Sequence, residues 1–256
     1  MKLASWNVNS LKVRLEQVLN WLESNNVDVL ALQETKLTDD TFPREAFYEL
    51  GYTAIYSGQK TYNGVAIISK LPIQQEYITD LSNYADPQRR ILAATIDNLR
   101  LINLYVPNGA SVDSDKYIYK LTWLSHIIDF IQHELKHYPH VAVVGDFNIA
   151  PSDNDVHDPI LWQGSVLVSD KERQAFEQIL SLGLIDSFRS QHPDAKDFSW
   201  WDYRAASFRR NHGLRIDHIL LNEKLFAQCR DSYIDIIPRK TERPSDHTPI
   251  LVEIDI

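Results

Sequence analysis

In Val141-Ala-Val-Val-Gly-Asp-Phe-Asn148, four apolar residues run into a glycine, an acid, an aromatic and an amide. A short uninterrupted apolar run of this kind reads as a buried strand. Gly145 marks a point where the backbone turns or closely approaches another segment. Asp146 and Asn148 lie two apart, so in extended geometry both project from one face. A carboxylate and an amide then stand at the rim of a buried sheet, where pockets form. An Asp/Asn turn closing a strand would produce the same letters. The rest of the chain has to choose between the two.

Two further strands begin the chain. Leu3 to Trp6 is short and is left by the polar turn Asn7-Val-Asn-Ser10; Val27 to Leu32 ends in Gln33-Glu34-Thr35. Between them Val13 to Asn25 reads as a helix, with Leu15, Val18, Leu19 and Leu22 at helical spacing. Strand, helix and strand within about thirty residues form a crossover unit, which puts Asn7 and Glu34 on the same side. Phe42 to Leu50 is a short helix closed by Gly51. Tyr52–Tyr56, Gly64–Ser69, Ile73–Tyr77, Arg90–Ile96 and Leu99–Tyr105 follow as strands with turn residues between them and no long helix, so this portion is expected to be antiparallel. Asp115 to His137 is a long helix capped by Ser114 or Asp113, its buried stripe read as Leu121, Leu124, Ile128, Ile131 and Leu135. Ser169-Asp-Lys-Glu172 is a capping box opening a helix that runs to Leu182 and stops at Gly183. Phe198–Trp201, Arg215–Leu221, Tyr233–Ile237 and Ile250–Ile254 are the later strands. Many strands with few helices predict two packed sheets with helices outside, in one domain spanning residues 1–256.

The chain has 256 residues, 44% hydrophobic and 24% charged, which suits a globular protein that needs no covalent staples. Its one cysteine, Cys229, allows no internal disulfide and fits a reducing compartment. No apolar run approaches the roughly 20 residues of a membrane span, and none behind Met1 reads as a signal peptide. The net charge of −9 argues against a general nucleic-acid coat protein. It leaves room for a local basic face, with metal ions neutralising phosphate at a site.

Asn7, Glu34, Asp146, Asn148, Asp217 and Asp246, with His247 beside it, all stand at the ends of apolar runs. So many oxygen ligands suit a hard divalent cation such as Mg²⁺, and the lack of a Cys/His cluster argues against zinc. Taken singly, Glu34 could be a solvated strand end and His247 a structural histidine. Asp217, among Ile216, Ile219 and Leu220, would cost stability unless it met a cation or a donor. The co-occurrence is what points to chemistry.

Ser5-Trp-Asn-Val-Asn9, Leu32-Gln-Glu-Thr-Lys36, Gly64-Val-Ala, Tyr105-Val-Pro-Asn108, Gly145-Asp-Phe-Asn148, Leu214-Arg-Ile-Asp217 and Ser245-Asp-His247 occur in this order. Gly58-Gln-Lys60, Gln88-Arg-Arg90, Lys171-Glu-Arg173 and Phe198-Ser-Trp-Trp-Asp-Tyr203 fill the gaps. Together they resemble the exonuclease III family of DNA-repair nucleases and apurinic/apyrimidinic endonucleases, its bacterial branch above all. The resemblance implies an α/β four-layer sandwich of the deoxyribonuclease-I-like kind, two packed mixed β-sheets flanked by helices. It implies Mg²⁺-dependent hydrolysis of DNA phosphodiesters, with Mn²⁺ as a substitute. The activities implied are 3′-to-5′ exonuclease, 3′-end cleaning as phosphodiesterase and phosphatase, and incision at abasic sites. Glu34 and Asp246 match metal-holding positions and Asn7 lies beside the metal. Asp146 matches the group that orients or deprotonates the attacking water. Asn148 and Tyr105 match groups that hold the phosphate, and Asp217 the acid paired with the catalytic His247. The expected partner is duplex DNA with 3′ ends, nicks or abasic sites. The expected setting is a monomer in the cytoplasm, at the nucleoid of a bacterium, with no membrane.

An acidic protein must grip DNA locally. Arg204, Arg209, Arg210 and Arg215 form one basic run, Arg89 and Arg90 a second, and Arg239, Lys240 and Arg243 a third. Asn108 joins the expected DNA contacts. Trp200, Trp201 and Tyr203 adjoin the first run and suit an unstacked or missing base, although packing also explains Trp201. By the resemblance, Trp200 and Leu214 line a pocket for an abasic sugar. The polar loop from Asp153 to Ser165, with His157 and Trp162, leaves a catalytic strand end and is expected to border the site. Two other readings compete: a superfamily phosphoesterase acting on a lipid or inositol phosphate, and a non-catalytic DNA-binding module.

Overall fold

The computed structural model describes residues 1–256. Twelve strands make two six-stranded sheets. They are β1 (Lys2–Asn7), β2 (Val29–Gln33), β3 (Thr53–Ser57), β4 (Val65–Ser69), β5 (Ile73–Ile78), β6 (Ile91–Ile96), β7 (Leu99–Tyr105), β8 (Val141–Asp146), β9 (Leu184–Asp186), β10 (Asp217–Asn222), β11 (Cys229–Ile234) and β12 (Ile250–Ile254). The helices are α1 (Leu11–Asn25), α2 (Arg44–Glu49), α3 (Asp115–His137), α4 (Pro159–Trp162), α5 (Asp170–Ser181), α6 (Ser187–Gln191) and α7 (Glu223–Phe226). Strand order is β11-β12-β1-β2-β4-β3 in one sheet and β5-β6-β7-β8-β10-β9 in the other.

Alternation along the strands sorts the side chains into layers. Leu3, Val29, Ala31, Val65 and Ile67 from the first sheet meet Leu92, Ala94, Leu101, Ala142, Val144 and Ile219 from the second, forming the core between the sheets. Their sequence neighbours face outward. Ala4, Trp6, Leu30 and Leu32 pack under α1 and α2, while Ala93, Ile102, Val141 and Val143 pack under α3 and α5. Helix, sheet, sheet and helix give the four layers expected.

Each sheet contains one parallel pair, β1 with β2 and β7 with β8. Each pair is joined by a helical crossover, α1 or α3, as parallel strands require. The five middle strands pair antiparallel as expected, but they divide between the sheets: β3 and β4 in the first, β5 to β7 in the second.

Three sequence expectations are corrected. Phe198–Trp201 is not a strand; Trp200 makes only isolated bridges to Leu214 and His247. Two later strands are displaced, with β10 starting at Asp217 and β11 ending at Ile234. The buried face of α3 is Tyr117, Lys120, Trp123, Leu124, Ile127, Ile131 and Glu134, leaving Leu121, Ile128 and Leu135 only partly covered. Its two charged members disguised that face in the apolar pattern. The capping predictions held: Ser114 accepts from the Tyr117 N–H, and Ser169 with Glu172 forms the box of α5.

Candidate active site

The apolar stripe between the sheets turns polar at one end. Continuing the inward alternation from Leu3, Ala31, Leu101, Val144 and Ile219 leads to Asn7, Gln33, Asn103, Asp146 and Asp217. Gln33 donates to the Asn103 Oδ1 (2.8 Å) and the Ser5 Oγ (3.0 Å), and Asn103 donates to the carbonyls of Leu32 and Ala66. These buried amides tie the two sheets together beneath the site. Asp146 sits level with Tyr105 on one neighbouring strand and Asp217 on the other. Gly145 serves close approach: at its φ of 141° an added Cβ would lie 1.9 Å from the Leu104 carbonyl oxygen.

Asp146 is buried at the centre of the array. Its Oδ2 accepts from the Asn7 Nδ2 (2.9 Å) and the Asn148 Nδ2 (3.1 Å), and its Oδ1 from the Asn148 backbone N–H (2.9 Å). The same Asn7 amide donates to the Glu34 Oε1 at 3.0 Å. His247 Nε2 stands 3.7 Å from the Asp146 Oδ2, and its Nδ1 is 2.9 Å from the Asp217 Oδ2. Ser199 donates to the Asp217 Oδ2 (2.6 Å) and accepts from the Ile216 and Asp217 N–H groups. Asn108 donates to the Asn148 Oδ1 at 3.0 Å. Glu34 and Asn148 both adopt left-handed backbone, at φ 51° and 50°. Asparagine tolerates this readily; glutamate does so only where its surroundings hold it.

Burial pushes the Asp146 carboxyl up to about 7, with the charges of Asp217 and Glu34 adding to it and His247 opposing. Burial works against the His247 imidazolium, but the carboxylates of Asp217 and Asp146 outweigh it and raise the ring to about 10. Burial and the carboxylates of Glu34 and Asp146 push the Tyr105 phenol well up, keeping it neutral and able to donate. The site therefore pairs a base poised near neutrality with two proton donors.

Glu34, Asp146 and His247 offer ligand atoms within 4.8 Å of one another. A buried acid whose ionisation is opposed by neighbouring acids is an electronegative pocket that a cation would relieve. The residues fit a hard divalent ion held at the Glu34 carboxylate beside Asp146, because a protonated His247 is a donor and not a ligand. The sequence-based set of Asn7, Glu34 and Asp246 shares Glu34 with this cluster. Asp246 carries its oxygens elsewhere, accepting from the Asn9 Nδ2 (2.9 Å) and the Trp200 Nε1 (3.0 Å). Asn7 turns its amide N–H groups, not its oxygen, toward the two acids.

The pattern of the Endonuclease/Exonuclease/phosphatase family matches residues 4–247 of the chain. The chain belongs to that family. It is 37% identical to the exodeoxyribonuclease III of Haemophilus influenzae over 99% of both chains, which sets it in the exonuclease III branch. It is similar to the solved structure of a 3′ phosphatase, NExo, from Neisseria bound to product DNA hairpin, with 46% identity, a TM-score of 0.98 and full coverage of both chains. An AP endonuclease from Archaeoglobus fulgidus superposes with a TM-score of 0.96 at 37% identity, also over both full chains.

Against this family background the expected DNA contacts divide. Arg90 lines a cleft of ≈700 Å³ beside Tyr105, together with Tyr62, Asn108, Lys116 and Tyr119. Its guanidinium lies 4.7 Å from the Tyr105 ring centre. Arg89 pairs with Asp80 at the surface, Arg204 with Asp202, and Arg209 is exposed. Trp200 reaches the site through Asp246.

Arg215 is a correction. Its guanidinium is buried and spent on Asp155 and Asp186, both at 2.7 Å, so it braces the loop after β8 and cannot touch DNA. Leu214 is likewise fully buried, packed with Val156, Trp162 and Trp200, so it supports a pocket wall without facing it. Arg239 is enclosed by Trp201, Tyr203 and Phe208. His157 stacks on His212 at 4.7 Å and meets the edge of Trp162 at 6.4 Å. Sequence reasoning missed Asn9, Lys36 and Ser199. Lys36 lies 3.1 Å from the Glu34 Oε2 and donates to Asn9. The positive φ of Asn9, Glu34 and Lys36 folds these two turns together, and no spacing rule carries that signal.

Proposed function

We propose that this protein is a Mg²⁺-dependent DNA-repair nuclease, a single catalytic domain acting as a monomer on duplex DNA in the bacterial nucleoid. It removes nucleotides and blocking groups from 3′ ends and incises abasic sites. The observation that carries the reading is the array Asn7–Asp146–His247–Asp217 with Glu34 beside it. Asp146, titrating near neutrality, takes the proton of the attacking water. The His247 imidazolium, backed by Asp217, and the Tyr105 phenol donate to the phosphate oxygens as charge gathers on them. Asn148 fixes Asp146, its two amide protons being engaged by the Asp146 Oδ2 and the Val106 carbonyl. A divalent cation held by Glu34 beside this array would supply neutralisation of the phosphate and of the leaving oxygen. Arg89, Arg90 and Arg209, with Asn108, grip the backbone on either side, while Arg204 and Trp200 border the nucleotide.

The test is a parallel assay on three duplexes: an internal abasic site, a 3′-phosphate at a nick, and a plain recessed 3′ end. Cleavage of none of them in Mg²⁺ would refute the reading. Within this assay, Glu34→Gln removes a charged ligand while conserving size. It should shift the Mg²⁺ concentration for half-maximal cleavage upward by at least about tenfold, with melting unchanged. An unaltered Mg²⁺ titration would remove Glu34 from the cation site.

Substrate preference should follow the loop after β8. An internal abasic nucleotide must be turned out of an intact duplex and received with phosphate gripped on both sides, whereas a 3′ terminus needs less room. The stacked pair His157–His212, with Trp162 behind it, fills space next to Leu214 and Trp200. His157→Gly or Trp162→Ala should therefore raise the ratio of internal incision to 3′-phosphate removal by about threefold or more in at least one variant. A flat ratio in both would leave the loop without a role in preference.

A further inference from the structure

Two charges lie on the buried face of α3, and they differ in kind. Glu134 pairs with Arg100 on β7 at 2.5 Å, an ordinary strut between helix and sheet. Lys120 has other partners. Its ammonium, completely buried, donates to the backbone carbonyls of Asn148 (2.6 Å) and Asn108 (3.2 Å) and to the Glu172 Oε1 (2.5 Å). An ammonium has three protons, and all three are engaged. Glu172 is fixed in turn by the N–H groups of Leu167 and Ser169 and by the Ser169 hydroxyl. Gly109 packs on the lysine stem, where an added Cβ would come within 3.3 Å of its Cδ.

The two carbonyls belong to separate loops, one after β7 and one after β8. Each loop delivers an amide side chain to the site, and the amides meet at 3.0 Å. Asn148 is held in left-handed backbone, and its N–H is one of the bonds that orient Asp146. Packing alone would be served as well or better by an apolar pair, since desolvating two charges is costly. An apolar pair could not hold two carbonyls from different loops.

We propose that Lys120, with Glu172 as its counter-charge, is a positioning residue for phosphate hydrolysis, locking the Asn108 and Asn148 loops in register so that Asp146 is presented correctly. The inference rests on the nuclease reading for its kinetic consequence only.

The test compares Lys120→Met, Glu172→Gln and the double variant with the intact protein. Lys120→Met leaves the buried Glu172 without its counter-charge and should lower the melting temperature. Adding Glu172→Gln should restore most of that loss. The rate should follow the lysine, not the melting temperature. On the recessed 3′ end kcat falls about ten- to a hundredfold in both variants lacking the ammonium, with KM within about twofold. Glu172→Gln alone keeps both carbonyl bonds and most of kcat. A kcat that merely tracks melting across the three variants, or a double variant as fast as the intact protein, would overturn the proposal. Backbone hydrogen exchange gives an arm independent of activity. Exchange at Asn148 should quicken in the double variant while the sheet core stays protected, and unchanged exchange there would overturn the proposal too. An intact protein that fails to cleave DNA would refute the nuclease reading and leave the exchange arm to decide the positioning role.

Discussion

Asp146→Asn is expected to slow hydrolysis of a recessed 3′ end by about a thousandfold or more while the chain still folds. The carboxylate is the one acid in the site that is fully buried, poised near neutrality and within reach of both His247 and Glu34. Asparagine keeps the size and one acceptor, so the Asn148 N–H can retain its bond. It cannot take a proton, and it offers Asn7 and Asn148 one acceptor fewer. Stability should move the other way. The folded-state pKa of Asp146, about 7, lies above the roughly 3.9 of an unfolded aspartate. The intact protein therefore holds its full share of stability below that lower value and loses it as the pH rises through the higher one. The variant has no such loss. Its melting temperature relative to the intact protein should climb between pH 4.5 and 6.5. A rate within tenfold of the intact protein would remove Asp146 from the base role, and a level stability difference would mean its carboxyl is not raised.

His247 and Asp217 should behave as one unit. His247→Asn is expected to cost at least about a hundredfold in rate, and adding Asp217→Asn should cost little more. The contact of 2.9 Å and the Ser199 bond behind it fix the ring and hold its proton. A raised imidazole contributes stability that is complete below the unfolded value of about 6.5 and lost as the pH rises toward about 10. Activity that needs the imidazolium should persist above pH 8 and decline only as that proton leaves. Asp217→Asn should move the decline to lower pH. Full additivity of the two losses, or an unmoved alkaline limb in Asp217→Asn, would separate the two residues.

Much of the outcome was legible in the chain. Period-two alternation and apolar runs assigned Asn7, Asp146 and Asp217 to strand ends. The crossover from Leu3 to Leu32 put Asn7 and Glu34 on one side, and the capping box at Ser169 opened α5 where expected. These are local properties: side-chain direction, turn chemistry and the period of burial are set within a few residues. What local rules cannot supply is the identity of a partner far along the chain. Arg215 looked like a DNA contact because nothing nearby opposed it, yet Asp155 and Asp186 enclose it. Lys120 fell outside the stripe read for α3, which rested on its apolar neighbours, yet it lies on the buried face. Asp246 matched a metal-holding position only by resemblance, and the fold brings it the donors of Asn9 and Trp200 from far along the chain.

The sequence by itself thus determined the layered fold, the end of the sheets at which chemistry is done, and the residue types available there. Only the tertiary structure decided which of those acids face one another, which cations are spent inside the protein and which remain for a polyanion. The reason is physical. Burying a charge costs several kcal/mol unless a partner meets it, and that partner is chosen by the packing of whole layers rather than by neighbours in the chain.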